Sequence, residues 1–544
     1  MESCASLLAR HFKKWGIDHI FGIPGKAIAP LIFATDKHDV EFVLSKHESG
    51  AGYNAAGYAM QNRKLGVALG TSGPGGTNLL TAAGQAKASN APVLIITGHP
   101  SMRDTGKAMG QDSSMFGTDL QEMFKPVTKF SARVERSDLL EIYLRHALEH
   151  AYSGVKGPVH LNIPFDILIE EIEPFDIDLP ELPTLVSPNL LDVRDKLNDA
   201  TRPLILVGKG VHSSNAYEEL QRLSEHWRIP VMTTPGGKGT FLSSHELSLG
   251  GLGLGGTDES KAYIAEGVDT LVVIGSKLSD MSIVGLTQEL YPDHLIHFDH
   301  EPTFIGKTIG VPTTPVLGDI RANLRFILDQ VDADPVGETV EEPLEQEIED
   351  THEGDRMSAV TTLQVVRQSL PDDAIVYGDD GSHSFYGIRY YDIKRRGSFF
   401  FDDVFGAMGH AIGYSIGAKL ASPNETIVCL VGDGCMFMHG AEISTAQNYD
   451  SAVLFIVLNN GRLDMVEKGM RKMIGKSIGA VYDAPLDASL FAKSMGLTSY
   501  KTRSKDELSH AISEALAHIA ATNKPAVVEV LVDENETPPT MGRQ

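Results

Sequence analysis

Three doubly wound α/β domains in series are the fold the sequence predicts, and three observations carry that prediction. The 544 residues are 42% hydrophobic and 22% charged, an ordinary globular composition with enough chain for several full cores. Short β-branched apolar runs recur, many of them ending in Gly, Asp or Asn and followed by a helix-like stretch, which is how parallel strands buried on both faces read. The charge is also lumped. Of a net −25, residues 166–184 contribute seven acidic side chains and residues 332–355 eleven, neither stretch holding a Lys or Arg and both carrying prolines. Lacking apolar periodicity, the two stretches read as linkers between domains at 1–168, 185–331 and 356–544.

In the first domain, a helix ending before Gly16 places Leu8, Phe12 and Trp15 on one face, and the apolar runs at 93–98 and 159–163 are strands. The second domain has strands at 204–208, 271–275 and 295–299, and the third at 375–378, 427–433, 453–460 and 527–533. The first and third domains each close on a Pro-initiated strand, Gly157-Pro158-Val159 and Lys524-Pro525-Ala526, a faint sign of shared topology. Three cysteines, Cys4, Cys429 and Cys435, form neither a disulfide framework nor a zinc-ligand pattern. With no secretory leader, no run of eighteen apolar residues and no basic run, the expectation is a cytoplasmic protein that engages neither membrane nor nucleic acid.

The most specific chemical signal is Gly432-Asp433-Gly434, followed after twenty-four residues by Asn459-Asn460. Both clusters end apolar strands, so they can converge where ligands sit in open α/β sheets, outside the carboxyl ends of the strands. Glycine lets backbone approach a phosphate, while a carboxylate and a carboxamide oxygen are hard ligands suited to Mg²⁺. Either cluster alone would be an ordinary turn; the pair at this spacing resembles the diphosphate and metal motif of thiamine-diphosphate-dependent enzymes.

Further segments extend the resemblance over nearly the whole chain and towards the acetolactate (acetohydroxyacid) synthase branch. His47-Glu48 with Gly57-Tyr58-Ala59 is similar to the family's activating-glutamate segment, and Gly22-Ile23-Pro24-Gly25 to its upstream loop. Thr71-Ser72-Gly73-Pro74-Gly75, Asp119-Leu120-Gln121-Glu122 and Gly406-Ala407-Met408-Gly409 resemble the synthase branch. The resemblance implies catalytic roles for Glu48 and Gln121, with Glu48 hydrogen-bonding the cofactor's pyrimidine ring so that its amino group can deprotonate the thiazolium carbon. It implies cofactor contacts from Gly22, Pro24, Gly25, Ser72, Gly73, Ser382, His383, Gly406, Met408, Gly432, Asp433, Gly434, Asn460 and Met465, Met408 being the wedge between the two rings. It implies Mg²⁺ on Asp433, Asn460 and the carbonyl of Arg462, and at least a homodimer, or a dimer of dimers, with the cofactor between subunits.

Thiamine diphosphate, Mg²⁺ and a 2-oxo acid are thus the expected ligands, and carboligation of two pyruvates to 2-acetolactate and CO₂ the expected reaction. Three departures keep a simple 2-oxo acid decarboxylase, a sulfoacetaldehyde acetyltransferase and a cyclic-diketone hydrolase open: the stretch Asp104 to Phe116, longer than the synthase loop and with Met102, Met109 and Met115 in or beside it, Asp464 for a small residue, and Phe401-Asp402-Asp403 before the Met408 turn; Ser382 also departs from the glutamine of the family's diphosphate contact. A non-catalytic ligand-binding α/β protein is the reading of another class. In the middle domain, Gly208-Lys209-Gly210, the glycine-rich run 249–257 and 297–302 resemble an FAD-binding domain, but the loop 275–281 lacks the family's arginines, leaving FAD open. A regulatory subunit also stays open.

Overall fold

The computed structural model describes residues 1–331, 355–402 and 404–539, so the second acidic stretch lies, but for Asp355, outside the described residues. Three sheets of six parallel strands each account for the architecture. The first contains β1 (His19–Gly22), β2 (Glu41–Leu44), β3 (Gly66–Gly70), β4 (Val93–His99), β5 (Phe130–Arg133) and β6 (Val159–Pro164), in the order β2-β1-β3-β4-β6-β5. The second contains β7 (Leu204–Val207), β8 (Val231–Thr233), β9 (Ser248–Gly251), β10 (Thr270–Ile274), β11 (His294–Asp299) and β12 (Thr313–Leu317), in the order β9-β8-β7-β10-β11-β12. The third contains β13 (Ile375–Gly378), β14 (Phe399–Phe400), β15 (Ile427–Gly432), β16 (Leu454–Asn459), β17 (Thr498–Thr502) and β18 (Ala526–Leu531). Its order, β14-β13-β15-β16-β18-β17, repeats that of the first sheet strand for strand. The two Pro-initiated closing strands, β6 and β18, therefore occupy the same place.

The central strands β4, β10, β15 and β16 are buried along their whole length, as continuous apolar runs require when helices cover both faces of a sheet. The strands that the apolar pattern does not mark, such as β8, β9 and β14, are short. In the middle sheet the strand order reverses between β7 and β10, which opens a crevice at their carboxyl ends.

The first and third domains pack through equivalent helices. The Glu48–Asn62 helix joins β2 to β3, and the His410–Ala421 helix joins β14 to β15. Their backbones touch: a Cβ at Gly57 would stand 2.1 Å from the Tyr414 carbonyl oxygen, and one at Gly417 would stand 1.9 Å from that of Asn54. Only glycine allows this approach.

The first acidic stretch is more than the bare linker expected. It contains the Phe165–Ile169 helix and a short strand, Glu171–Ile172, paired antiparallel with Glu2–Ser3. Beyond it the chain is strapped to the Cys4–Lys14 helix and its cap: Arg10 donates to the Phe175 carbonyl, Trp15 Nε1 to that of Ile177, and the Ile177 amide to His11. Lys14 sits between Asp176 and Asp178. The acidity that marked a linker by sequence is thus partly a set of partners for the first helix. Among the described residues no helix is long and apolar enough to cross a membrane. The three cysteines are buried and unpaired.

Candidate active site

A cleft of about 260 Å³ opens at the carboxyl ends of β13, β15 and β16. Ser382, His383, Gly406, Met408, Gly432, Asp433, Gly434, Asn460, Arg462 and Met465 all line it, residues that lie far apart in the chain.

Asp433 binds the two halves of the sequence motif together. It opens a helix directly after β15, accepting from the Gly434 amide at 2.9 Å, while its second oxygen accepts from the Gly461 amide at 2.7 Å, beyond the end of β16. Burial pushes its carboxyl up to about 6 even though the amides of Gly461, Gly434 and Arg462 oppose the rise. A buried carboxylate with no cationic side chain among the described residues paired to it suits a bound cation. Asn459 shapes this turn from behind: its amide nitrogen donates to Glu529 and to the Leu486 carbonyl, and its oxygen accepts from Gly461.

The glycines of the motif are explained by packing. A Cβ at Gly432 would meet the His383 ring at 2.8 Å, and one at Gly434 would meet Leu463 at 2.7 Å and the Met408 methyl at 3.1 Å. His383 is buried, which lowers its imidazole to about 4 and keeps it neutral. Its Nε2, the Tyr386 hydroxyl and the Arg462 Nε are buried without a hydrogen-bond partner among the described residues. All three residues line the cleft, so a polar ligand there would satisfy groups that the protein leaves open. The donor set and these open groups fit a diphosphate with a divalent cation.

Met408 sits on a turn clamped from behind by Asp379, whose carboxylate accepts from the amides of Gly409 at 2.7 Å and Ala411 at 2.9 Å. Asp379 carries no signal in the sequence beyond following a strand. Two of the departures from the family pattern meet here: the Ser382 hydroxyl donates to Asp464 at 2.5 Å, and Lys468 completes the carboxylate at 2.6 Å. Tyr386 and Glu536, also in the cleft wall, escaped the sequence reading because no motif surrounds them.

The remaining expected residues, Gly22, Pro24, Gly25, Glu48, Ser72, Gly73 and Gln121, do not line this cleft. They belong instead to the first domain, Gly22, Pro24 and Gly25 at the carboxyl end of β1, Glu48 after β2, Ser72 and Gly73 after β3, and Gln121 in the Leu120–Phe124 helix before β5. A Cβ at Gly25 would collide with Thr71, and one at Gly76 with Leu120, so the loops carrying Pro24, Ser72 and Gln121 lie against one another. Glu48, 8% exposed, opens its helix and accepts from Asn78 at 2.9 Å. Ala51 and Ala55 beside it are buried, whereas Leu44 is 40% exposed.

The middle domain has its own cleft, of about 540 Å³, at the crevice between β7 and β10. Lys209, Gly210, Ser276, Lys277, Asp299 and His300 reach it, whereas the glycine-rich run 249–257 does not. That run packs on itself and on other segments: a Cβ at Gly253 would meet the Met281 carbonyl, and one at Gly255 would meet Ile388. The residues that suggest FAD therefore fit it only in part, and no chemistry is assigned to a flavin here.

Three family models match in chain order: "Thiamine pyrophosphate enzyme, N-terminal TPP binding domain" over residues 3–123, the central domain over 190–327, and the C-terminal TPP binding domain over 379–530. Among curated relatives, the "Probable acetolactate synthase large subunit" of Methanocaldococcus jannaschii is 30% identical, covering 98% of this chain and 93% of the relative. The acetolactate synthase large subunit of Corynebacterium glutamicum is 28% identical over 98% of this chain and 87% of its own length. The fold is shared with the thiamine diphosphate-dependent 4-hydroxybenzoylformate decarboxylase of Rhodococcus jostii RHA1, with a TM-score of 0.85 at 22% identity, covering 98% of this chain and 99% of that one. With all three domains matched and a relative 30% identical over nearly its full length, this chain belongs to the thiamine pyrophosphate enzymes, in their acetolactate synthase branch.

Proposed function

We propose that the protein decarboxylates a 2-oxo acid, pyruvate, with thiamine diphosphate and Mg²⁺, and joins the remaining two-carbon unit to a second carbonyl acceptor, giving 2-acetolactate and CO₂. The observation that carries the reading is Asp433 bridging Gly434 and Gly461 in a cleft whose polar wall is left open. When bound, thiamine diphosphate supplies the electron sink that makes loss of CO₂ from a 2-oxo acid feasible.

The chain's own residues have separate tasks. Asp433, Asn460 and the Arg462 carbonyl would hold Mg²⁺, with His383 and Ser382 beside the diphosphate. Gly406 and Met408, both in the cleft wall, would hold the ring portion of the cofactor, Gly406 through its carbonyl and Met408 as an apolar support. Glu48 holds or releases the proton at the pyrimidine nitrogen from a buried position at a helix start, and Gln121 faces the substrate. Because Glu48 and Gln121 do not line the third-domain cleft of their own chain, the complete site is assigned to two copies, in a homodimer or a pair of dimers. Exposed Phe437, Met438, Met473, Ile474 and Ile478 on the third domain support an apolar contact of that kind.

Incubation with pyruvate, thiamine diphosphate and Mg²⁺, with products identified by mass spectrometry, tests the reaction. Acetolactate is expected; acetaldehyde alone would make the protein a decarboxylase, and no turnover of any 2-oxo acid would defeat both. A strictly monomeric active species in analytical ultracentrifugation would defeat the shared site.

A further inference from the structure

Gln85 of the first domain, Lys209 of the middle domain and Asp402 of the third meet in one buried knot. Asp402 is 3% exposed and Gln85 fully buried. Lys209 Nζ donates to Asp402 Oδ1 at 2.6 Å, and Gln85 Nε2 donates to Asp402 Oδ2, also at 2.6 Å. The other end of the same carboxamide, Gln85 Oε1, accepts from the Ala407 amide at 3.1 Å. One side chain thus ties both ends of the turn that carries Gly406 into the cleft. Downstream of that turn, Asp379 holds Gly409 and Ala411. The Phe405 ring packs where a Cβ at Gly84 would collide with it, so the turn also lies flat against the helix bearing Gln85.

The arrangement is not explained by stability alone. A buried ion pair seldom stabilises a fold more than apolar residues of the same size would. What it does fix is direction, because a charged acceptor that takes Lys209, Gln85 and the Val404 amide, and a carboxamide used at both ends, allow one geometry.

Resting on the cofactor reading above, we propose that Gln85, Asp402 and Lys209 are positioning residues for the Gly406 and Met408 turn, setting how the ring portion of thiamine diphosphate is held without touching its diphosphate. The diphosphate half belongs to a separate set of residues, Asp433 and Asn460, so the two halves can be disturbed independently.

The test exploits the polarity of the knot. In Asp402→Asn or Gln85→Glu alone, two donors or two acceptors face each other. In the double variant Gln85→Glu/Asp402→Asn the bond between the two residues returns with donor and acceptor exchanged, Lys209 and the Ala407 amide still donate to oxygens, and the net charge is kept. Calorimetric titration of the full-length protein with Mg²⁺ and either thiamine diphosphate or inorganic diphosphate supplies the readout. Each single variant is expected to lose about tenfold or more in affinity for thiamine diphosphate, with affinity for inorganic diphosphate unchanged, and the double variant to recover. Equal losses for both ligands, no loss in either single variant, or no recovery in the double variant would overturn the proposal. If a single variant fails to fold, comparing the double variant with Lys209→Met on the same two ligands decides. The double variant should then bind thiamine diphosphate as the parent does, and Lys209→Met should lose only that ligand. A parent protein that takes inorganic diphosphate but not thiamine diphosphate would sink the cofactor reading and this proposal with it, a result distinct from a parent and variants that bind alike.

Discussion

The first and third domains have the same strand order and pack through equivalent helices, yet the proposed function gives them opposite halves of the chemistry. In the third domain, β15 and β16 run out into Asp433 and Asn460, which face one cleft. The equivalent strands of the first domain, β3 and β4, run out into Thr71 and Pro100, with no carboxylate or carboxamide to hold a cation. At the start of the shared helix the roles reverse. The first domain presents Glu48 there, answered by Asn78, while the third presents His410, enclosed by Asp379 and Asp380. A repeated scaffold thus fixes where chemistry can stand, and single residues decide what it is.

Separating the two halves is the sharpest way to test this comparison. Glu48→Gln keeps size and hydrogen bonding but removes the proton carrier. Turnover should fall by about 10²- to 10⁴-fold while calorimetry still records cofactor binding. In Asp433→Ala the pattern should invert, with Mg²⁺-dependent affinity for thiamine diphosphate falling by roughly 10- to 100-fold or more. If both variants lost binding equally, the two domains would not divide the work as argued.

The contact between the domains can be broken without touching either half. In Gly417→Ala the new methyl would lie 1.9 Å from the Asn54 carbonyl oxygen, a backbone atom that cannot swing away. A destabilisation of about 3 kcal/mol is expected. Gly469→Ala, where nothing lies within 4 Å, is the control and should be neutral or slightly stabilising. Chemical denaturation monitored by circular dichroism distinguishes them, and equal stability of the two variants would remove the close helix crossing from the account.

Legibility in the sequence followed physical range. Continuous apolar strands such as β15 and β16, and the short motifs at their ends, depend on neighbouring residues and could be read directly. The cleft gathered by Ser382, Met408, Asp433 and Asn460 was legible for the same reason, since each follows a recognisable local pattern. Asp379 was not, because its importance lies in amides thirty residues away. Neither was the bond between Ser382 and Asp464: each departure was visible singly, but nothing in a linear chain says that two substitutions face each other. The acidic stretch 166–184 misled in part because charge was counted without its partners, Arg10, His11, Trp15 and Lys14, which hold it to the first helix.

The smallest expected effect bears on the helix start that replaces Glu48 in the third domain. Burial alone would lower the His410 imidazole, but Asp379, Asp380 and Asp402 outweigh it and raise it to about 9. The folded protein then holds this proton more tightly than the unfolded chain, whose histidines titrate near 6.5. The resulting stabilisation is complete below pH 6.5 and is lost as pH rises towards 9. Lys238 acts in the opposite sense: burial lowers its ammonium to about 8, so its contribution improves with pH above that value. The difference between the parent and His410→Gln isolates the imidazole. Unfolding free energies from denaturant titrations at pH 6 to pH 9.5 should converge by roughly 2 kcal/mol as pH rises, the variant starting lower and showing the flatter dependence. Parallel curves would mean that His410 is neutral, and that the third domain's helix start is held by the Asp379 contacts to Gly409 and Ala411 without a charge pair.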